Sequence, residues 1–222
     1  PVAIVVGILV GLILQRVMLK ATIDQNLVSI MIMTLGFGYV LHGAAALVFG
    51  STGQILDTPL SQKELAFGDM WLTWQDIAIV LVAIVEFLVL KFVLDRTRIG
   101  RLVRMVAEDP KLAELAGVDI RRVYLAVFAF EGAAVAFAGA MVGPRTPILT
   151  SMGFEEVIMT FVVVVLGGIG SVFGSYVAGL ALGLFTAFFG ALISPAYTTA
   201  AAFAVLIAVL VLRPGGLAAG AR

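Results

Sequence analysis

The sequence predicts an all-α protein: a polytopic transmembrane helical bundle with a glycine-broken or re-entrant segment near 157–171 and a short cytoplasmic helix. Three observations predict it. Hydrophobic residues make up 62% of the 222 and charged residues 13%, with a mean hydropathy of +1.14, far from the roughly one-quarter charged content of soluble domains. Charge-free runs recur at lengths that suit a helix crossing the hydrocarbon core, which needs about 20 mainly apolar residues. Finally, one polar island, 96–122, reads RTRIGRLVRMVAEDPKLAELAGVDIRR. Its Arg96, Arg98, Arg101, Arg104, Lys111, Arg121 and Arg122 are seven of the 14 Lys+Arg. Because it lies between two apolar segments, the positive-inside rule places it in the cytoplasm. Such a loop suits hand-over to, or force from, a soluble partner.

No hydrophilic stretch is long enough to bury a core of its own, so residues 1–222 read as a single membrane domain. The formal net charge is zero and acids are mixed into the island, which argues against a nucleic-acid partner. The chain has no cysteine, which excludes disulfides and thiolate metal sites. It opens on Pro1 and enters an apolar run at once, without an initiator Met or a signal-peptide n-region. That start predicts an N-terminally truncated chain.

In order along the chain, 2–14 is a short remnant or the end of a span, and Arg16 and Lys20 mark a loop on the side of the island. A crossing follows at 27–50, interrupted by His42. The polar connection 51–75 carries Asp57, Glu64 and Asp69 against Lys63, with Trp71 and Trp74 near its end. Indole rings favour the interface, so this loop is expected outside. Residues 76–93 return to the cytoplasm. After the island, 123–142 goes out to a second external loop containing Pro144, Arg145, Pro147, Glu155 and Glu156. From 157 to 212 there is no charge. Those 56 residues would extend about 84 Å as one helix, nearly three bilayer cores, so the run must fold back. Breaks at Gly167-Gly168-Ile169-Gly170-Ser171 and Ser194-Pro195 divide it into 157–166 going in, 172–193 coming out and 196–212 ending in the cytoplasm. The first arm can be re-entrant or spanning.

Inside the island, Asp109 followed by Pro110 is an N-cap and N1 pair, and Gly117 suits the left-handed position after a helix end. Leu112, Leu115 and Ala116 share one face of the two turns between. A helix this short is unstable alone. Its apolar stripe suits either docking into a groove on another protein or a connector lying on the membrane surface.

Gly167, Gly168, Gly170 and Ser171 likewise have two readings. An unwound segment exposes backbone that can line a transport path or act as a hinge. Alternatively, the spacings Gly170/Gly174 and Gly179/Gly183 let helices approach closely. Two acids, Glu86 and Glu131, fall within spans, where an ionised carboxylate costs roughly 2.5–3.5 kcal/mol on insertion scales. Each is expected to face the bundle or a wet cavity, or to be protonated. Lys91, five residues on, can pair with Glu86, or Glu86 can snorkel. His42 has no second His and no Cys with which to share a metal, so it reads as a hydrogen-bonded bundle residue and no metal site is expected.

The run Thr97-Arg98-Ile99-Gly100-Arg101, then Arg104, Ala107-Glu108-Asp109, Ala113 and Leu115-Ala116-Gly117-Val118, resembles the cytoplasmic signature of the branched-chain amino-acid ABC importer permeases, a group that includes related sugar permeases. Ala138-Gly139, Val165-Leu166-Gly167-Gly168-Ile169-Gly170-Ser171 with Gly174, and the tail Leu212-Arg213-Pro214-Gly215-Gly216-Leu217 continue the likeness in the same order. It covers 96 to the end, with a fainter match at Thr34-Leu35-Gly36. Glu131 departs from the small residue usual at its position.

The resemblance implies an inner-membrane permease of a prokaryote, with loop 95–122 and the C-terminus cytoplasmic and the first family spans absent. It implies pairing with a homologous second permease subunit, delivery of solute by an external binding protein, and drive from cytoplasmic ABC ATPase subunits that hold ATP-Mg. Those ATPases would grip a coupling helix at 108–117, comprising Glu108, Asp109, Pro110, Leu112, Ala113, Leu115, Ala116 and Gly117. No cofactor is expected on this chain, and it is not expected to be an enzyme. None of Lys20, Lys63, Lys91 and Lys111 follows a glycine, as the P-loop lysine must. Leucine, isoleucine and valine come first as cargo; urea, amides, simple sugars and other amino acids stay open. Two rival classes are a secondary transporter in which Glu86 or Glu131 carries protons and a membrane anchor for an enzyme.

Overall fold

A computed structural model describes residues 1–22, 27–50, 52–54, 56, 64–67, 70–168, 170–213 and 215–216. Asp57, Lys63, Asp69, Ile169, Pro214 and Leu217, named above, lie outside the described residues. The chain forms two compact units, Pro1–Thr150 and Ser151–Arg222. Among the described residues, five helical stretches are long and apolar enough to cross a membrane, as a polytopic helical bundle requires.

The first unit contains α1 (Val2–Thr22), α2 (Leu27–Phe49), a hairpin of β1 (Glu64–Phe67) and β2 (Met70–Thr73), then α3 (Trp74–Arg96), α4 (Arg98–Glu108), α5 (Pro110–Leu115) and α6 (Ile120–Val142). The reading of 16–20 as a loop is corrected, because α1 continues through both cations to Thr22. A charge at the end of an apolar run marks the edge of the hydrocarbon core and does not by itself require a helix break. For a related reason α3 and α6 outrun the apolar windows 76–93 and 123–142: such a window marks the hydrocarbon core, and the helix continues into the interface. The hairpin occupies part of the 51–75 connection, with Glu64 opposite Thr73 and Phe67 opposite Met70. β2 passes directly into α3 through a capping box, in which Asp76 N donates to Thr73 Oγ1 at 3.3 Å and Thr73 N donates to Asp76 Oδ2 at 3.1 Å.

Glycines set the closest helix contact in this unit. A Cβ on Gly7 or Gly11 of α1 would collide with the carbonyls of Gly132 and Phe128 of α6, and one on Gly132 would meet the carbonyl of Gly7. The partners follow one another in opposite order along the two helices, so these run antiparallel. In lipid, helix association rests on such close packing, because apolar surface gains nothing by leaving the bilayer. The same seam buries Gln15 to 2% exposure, and its amide oxygen and nitrogen have no hydrogen-bond partner among the described residues.

At the start of α3, Gln75 Nε2 donates to the Met141 carbonyl at 2.7 Å, and Arg145 Nε pairs with Asp76 at 3.0 Å. Gln54 and Ile148 exchange backbone bonds of 3.1 and 2.8 Å. Loops 51–75 and 143–150 therefore meet at one end of the unit, and the island lies at the other. This agrees with the two loops sharing a side.

The second unit contains α7 (Met152–Gly167), α8 (Val172–Leu192), a 3-10 turn at Pro195–Tyr197 and α9 (Thr198–Leu212). Its core is Val162 and Leu166 of α7, Ala178 and Leu182 of α8, and Ala202 and Leu206 of α9. α7 begins five residues before the expected 157, so Glu156 lies within the helix near its N-terminal end, where the dipole favours anions. Its 16 residues extend about 24 Å, short of a core of roughly 30 Å.

Candidate functional site

The island folds as two short helices set against the ends of α3 and α6. Thr97 makes the bend. Its Oγ1 donates to the Val93 carbonyl at 2.6 Å and accepts from Gly100 N at 3.1 Å, so one side chain closes α3 and opens α4. Gly100 then lies against the carbonyls of Val93 and Leu94, where a Cβ would collide with both. This gives a physical reason for Thr97 and Gly100 in the run Thr-Arg-Ile-Gly-Arg. Arg104 pairs with Asp95 across the bend at 3.2 Å.

The predicted two-turn helix is present as α5. Asp109 Oδ1 accepts from Lys111 N at 2.8 Å and from Leu112 N at 3.1 Å, Pro110 opens the first turn, and Gly117 has φ +81°. Ala113 is fully buried against Val106 of α4 and Val123 of α6. Leu112 is 64% and Leu115 84% exposed, and Glu108, Ala116 and Gly117 are exposed as well. Ala113 thus holds the helix in place, and Leu112, Leu115 and Ala116 leave an uncovered apolar face. α4 was not foreseen. The signal was available in Arg98, Arg101 and Arg104 at intervals of three, opposite Leu102, Val103 and Val106, which turn inward.

In the second unit Gly167 ends α7, Gly168 and Gly170 have φ +94° and +90°, and Ser171 caps α8 by accepting from Gly174 N at 3.0 Å. The glycines divide the work. A Cβ on Gly167 would strike the backbone of Ser175, so this glycine lets α7 and α8 close on each other. Gly170 and Gly183 have open space where a Cβ would be, and a Cβ on Gly179 would only touch Val163 at 3.4 Å. Close approach therefore rests on Gly167 and not on the Gly170 or Gly183 ends of the spacings named above. The sequence reading named Gly216 only within the tail and gave it no structural role. It has φ +79°, and a Cβ there would come within 2.7 Å of Gly168 N and Cα and 3.0 Å of the Leu166 carbonyl. The turn after α9 therefore folds over the glycine break, placing the two on one side of this unit.

The intramembrane polar residues do not converge. His42 Nδ1 donates to the Thr150 carbonyl at 2.9 Å. Glu86 is the thirteenth residue of the 23 in α3, half-buried, and forms no ion pair with Lys91. Glu131 is the twelfth of 23 in α6 and exposed, away from the face that Gly132 presents to α1. Both acids lie near mid-span on separate faces. Sequence reasoning also missed Gln15 and the Asp76–Arg145 pair, whose members are 69 positions apart and carry no local signal.

A family model described as "Branched-chain amino acid transport system / permease component" matches residues 1–210. The chain is 29% identical over 227 residues to the high-affinity branched-chain amino acid transport system permease protein LivH of Escherichia coli K12, covering 97% of this chain and 71% of LivH. It is 30% identical over 221 residues to the corresponding permease protein BraD of Pseudomonas aeruginosa, covering 97% and 72%. The fructose import permease protein FrcC of Rhizobium meliloti is 33% identical over 114 residues, covering 48% of this chain and 32% of FrcC. No solved structure matches.

Proposed function

The chain belongs to the family of branched-chain amino acid transport system permease components, and on that premise we propose that it is a membrane subunit of an ATP-driven importer. It forms part of a solute path, and separate cytoplasmic ABC ATPase subunits drive it. A homologous second permease subunit completes the path, and an external binding protein delivers the solute. The observation that carries this reading is α5: a capped helix, anchored by fully buried Ala113, with Leu112 and Leu115 uncovered. The uncovered leucine pair gives a groove on an ATPase an apolar face to bury. Loop 95–122 and the C-terminal turn are cytoplasmic on this account, in keeping with seven cations in the island.

Leucine, isoleucine and valine are the proposed cargo, supported by the likeness to LivH and BraD. FrcC gives a specific reason to test a sugar beside them. The test is ATP-dependent uptake into vesicles holding this subunit with its partners and binding protein. Labelled leucine, isoleucine and valine should accumulate only with ATP, and fructose should not. Fructose uptake without leucine uptake would overturn the cargo; uptake driven by a pH gradient without ATP would overturn the mechanism.

A further inference from the structure

The bend at Thr97 folds α4 back beside the end of α3. Asp95 and Arg104 are nine residues apart in the chain, a separation of about 13.5 Å along the axis of an unbroken helix, yet Arg104 Nη1 reaches Asp95 Oδ1 at 3.2 Å. On its inner face α4 places Leu102, Val103 and Val106 in one apolar cluster with Val123 and Tyr124, from the first two turns of α6. α4 therefore lies level with the ends of two helices long and apolar enough to cross the membrane, at the depth of lipid headgroups, and does not project from the bilayer.

The outer surface of α4 carries mainly one sign of charge. Arg98, Arg101 and Arg104 are exposed at intervals of three, and Arg96 is exposed just before the bend. Ile99 and Met105 beside them are 53% and 42% exposed. Arg104 is taken up by Asp95. Among the described residues Arg96, Arg98 and Arg101 form no ion pair, and the one acid of α4, Glu108, is its last residue. Four arginines in the nine residues 96–104, at the end of a span, are the charge pattern that attracts anionic lipid. Guanidinium offers paired donors to phosphate oxygens, and Ile99 and Met105 offer apolar contact to the first carbons of the acyl chains. The excess of cations favours an anionic headgroup over a zwitterionic one, and the depth favours lipid over a soluble phosphate.

We infer that Arg96, Arg98 and Arg101, with Ile99 and Met105, form a binding surface for an anionic phospholipid. The inference needs the membrane-spanning helices and not the ATPase reading of α5. Its test places the full-length subunit, with the subunits that co-purify, in phosphatidylcholine vesicles containing a photoactivatable phosphatidylglycerol or, at equal content, a photoactivatable phosphatidylcholine. The phosphatidylglycerol probe should label the 96–105 peptide about fivefold more strongly. Arg98→Gln together with Arg101→Gln should abolish that preference, because each cation near an anionic surface contributes about 1 kcal/mol, or about fivefold. Arg98→Lys together with Arg101→Lys should keep most of it, which separates lost charge from a disturbed fold. Equal labelling by the two probes, or an unchanged preference in the glutamine variant, would overturn the proposal. So would labelling competed away by millimolar inorganic phosphate, which would assign the site to a soluble anion, or labelling that appears only after ATPase subunits are stripped, which would assign this face to protein.

Discussion

Gln15 and Gly132 share one helix seam and make opposite demands on it. Burying an amide without a partner costs about 1–3 kcal/mol, and replacing it by an apolar side chain of similar length removes that cost. Gln15→Met should therefore raise the thermal unfolding midpoint of the detergent-solubilised subunit, and a lowered midpoint would show that the amide has a partner in the protein as it exists. Gly132→Ala should do the reverse, because its Cβ meets the carbonyl of Gly7. Overpacking of this kind costs about 1–3 kcal/mol, so the midpoint should fall; an unchanged midpoint would mean that α1 and α6 are further apart than described. The Gly7/Gly11 spacing was open to view in the sequence, but its partner was not. Gly132 lies more than a hundred residues away, and spacing alone does not tell which glycine meets another helix.

At the scale of elements, the proposed reading divides α5 between an anchoring residue and a docking face. Leu115→Asp places a charge on a side chain that is 84% exposed, so the subunit should stay folded while ATP hydrolysis proceeds without solute uptake. Ala113→Asp buries a charge between α4 and α6 and should reduce the yield of folded subunit. Equal behaviour of the two variants in both assays would remove the distinction. This helix was legible because its signals are local: Asp109, Pro110 and Gly117 lie close together in the chain and act on their own backbone. α4 was obscured by the charged residues around it, although its three-residue arginine period marked one face. The α7–α8 break was legible as a break. The turn of Gly216 over Gly168 was not, because it depends on α9 ending beside α7.

For the whole molecule, the sequence was most informative about where charge is absent. Apolar windows with few charges located the long helices, and α3 and α6 overran theirs because the charged residues at their ends lie in the interface. The paired loops at one end of the first unit and the island at the other agree with a single alternation of sides. This leads to a direct expectation: in intact cells Thr146→Cys should react with a membrane-impermeant maleimide, and Leu115→Cys should react only after the inner face is opened. The reverse pattern would invert the orientation.

The central claim is that α5 is where an ATPase takes hold. The measurement that tests it most directly is purification of the subunit from its native membrane, wild type beside Leu112→Asp, with identification of what accompanies each. The account predicts ABC ATPase subunits with the wild type and their loss from the variant, with the second permease retained by both. ATPase recovered equally with Leu112→Asp, or absent from the wild type while the second permease remains, would contradict it.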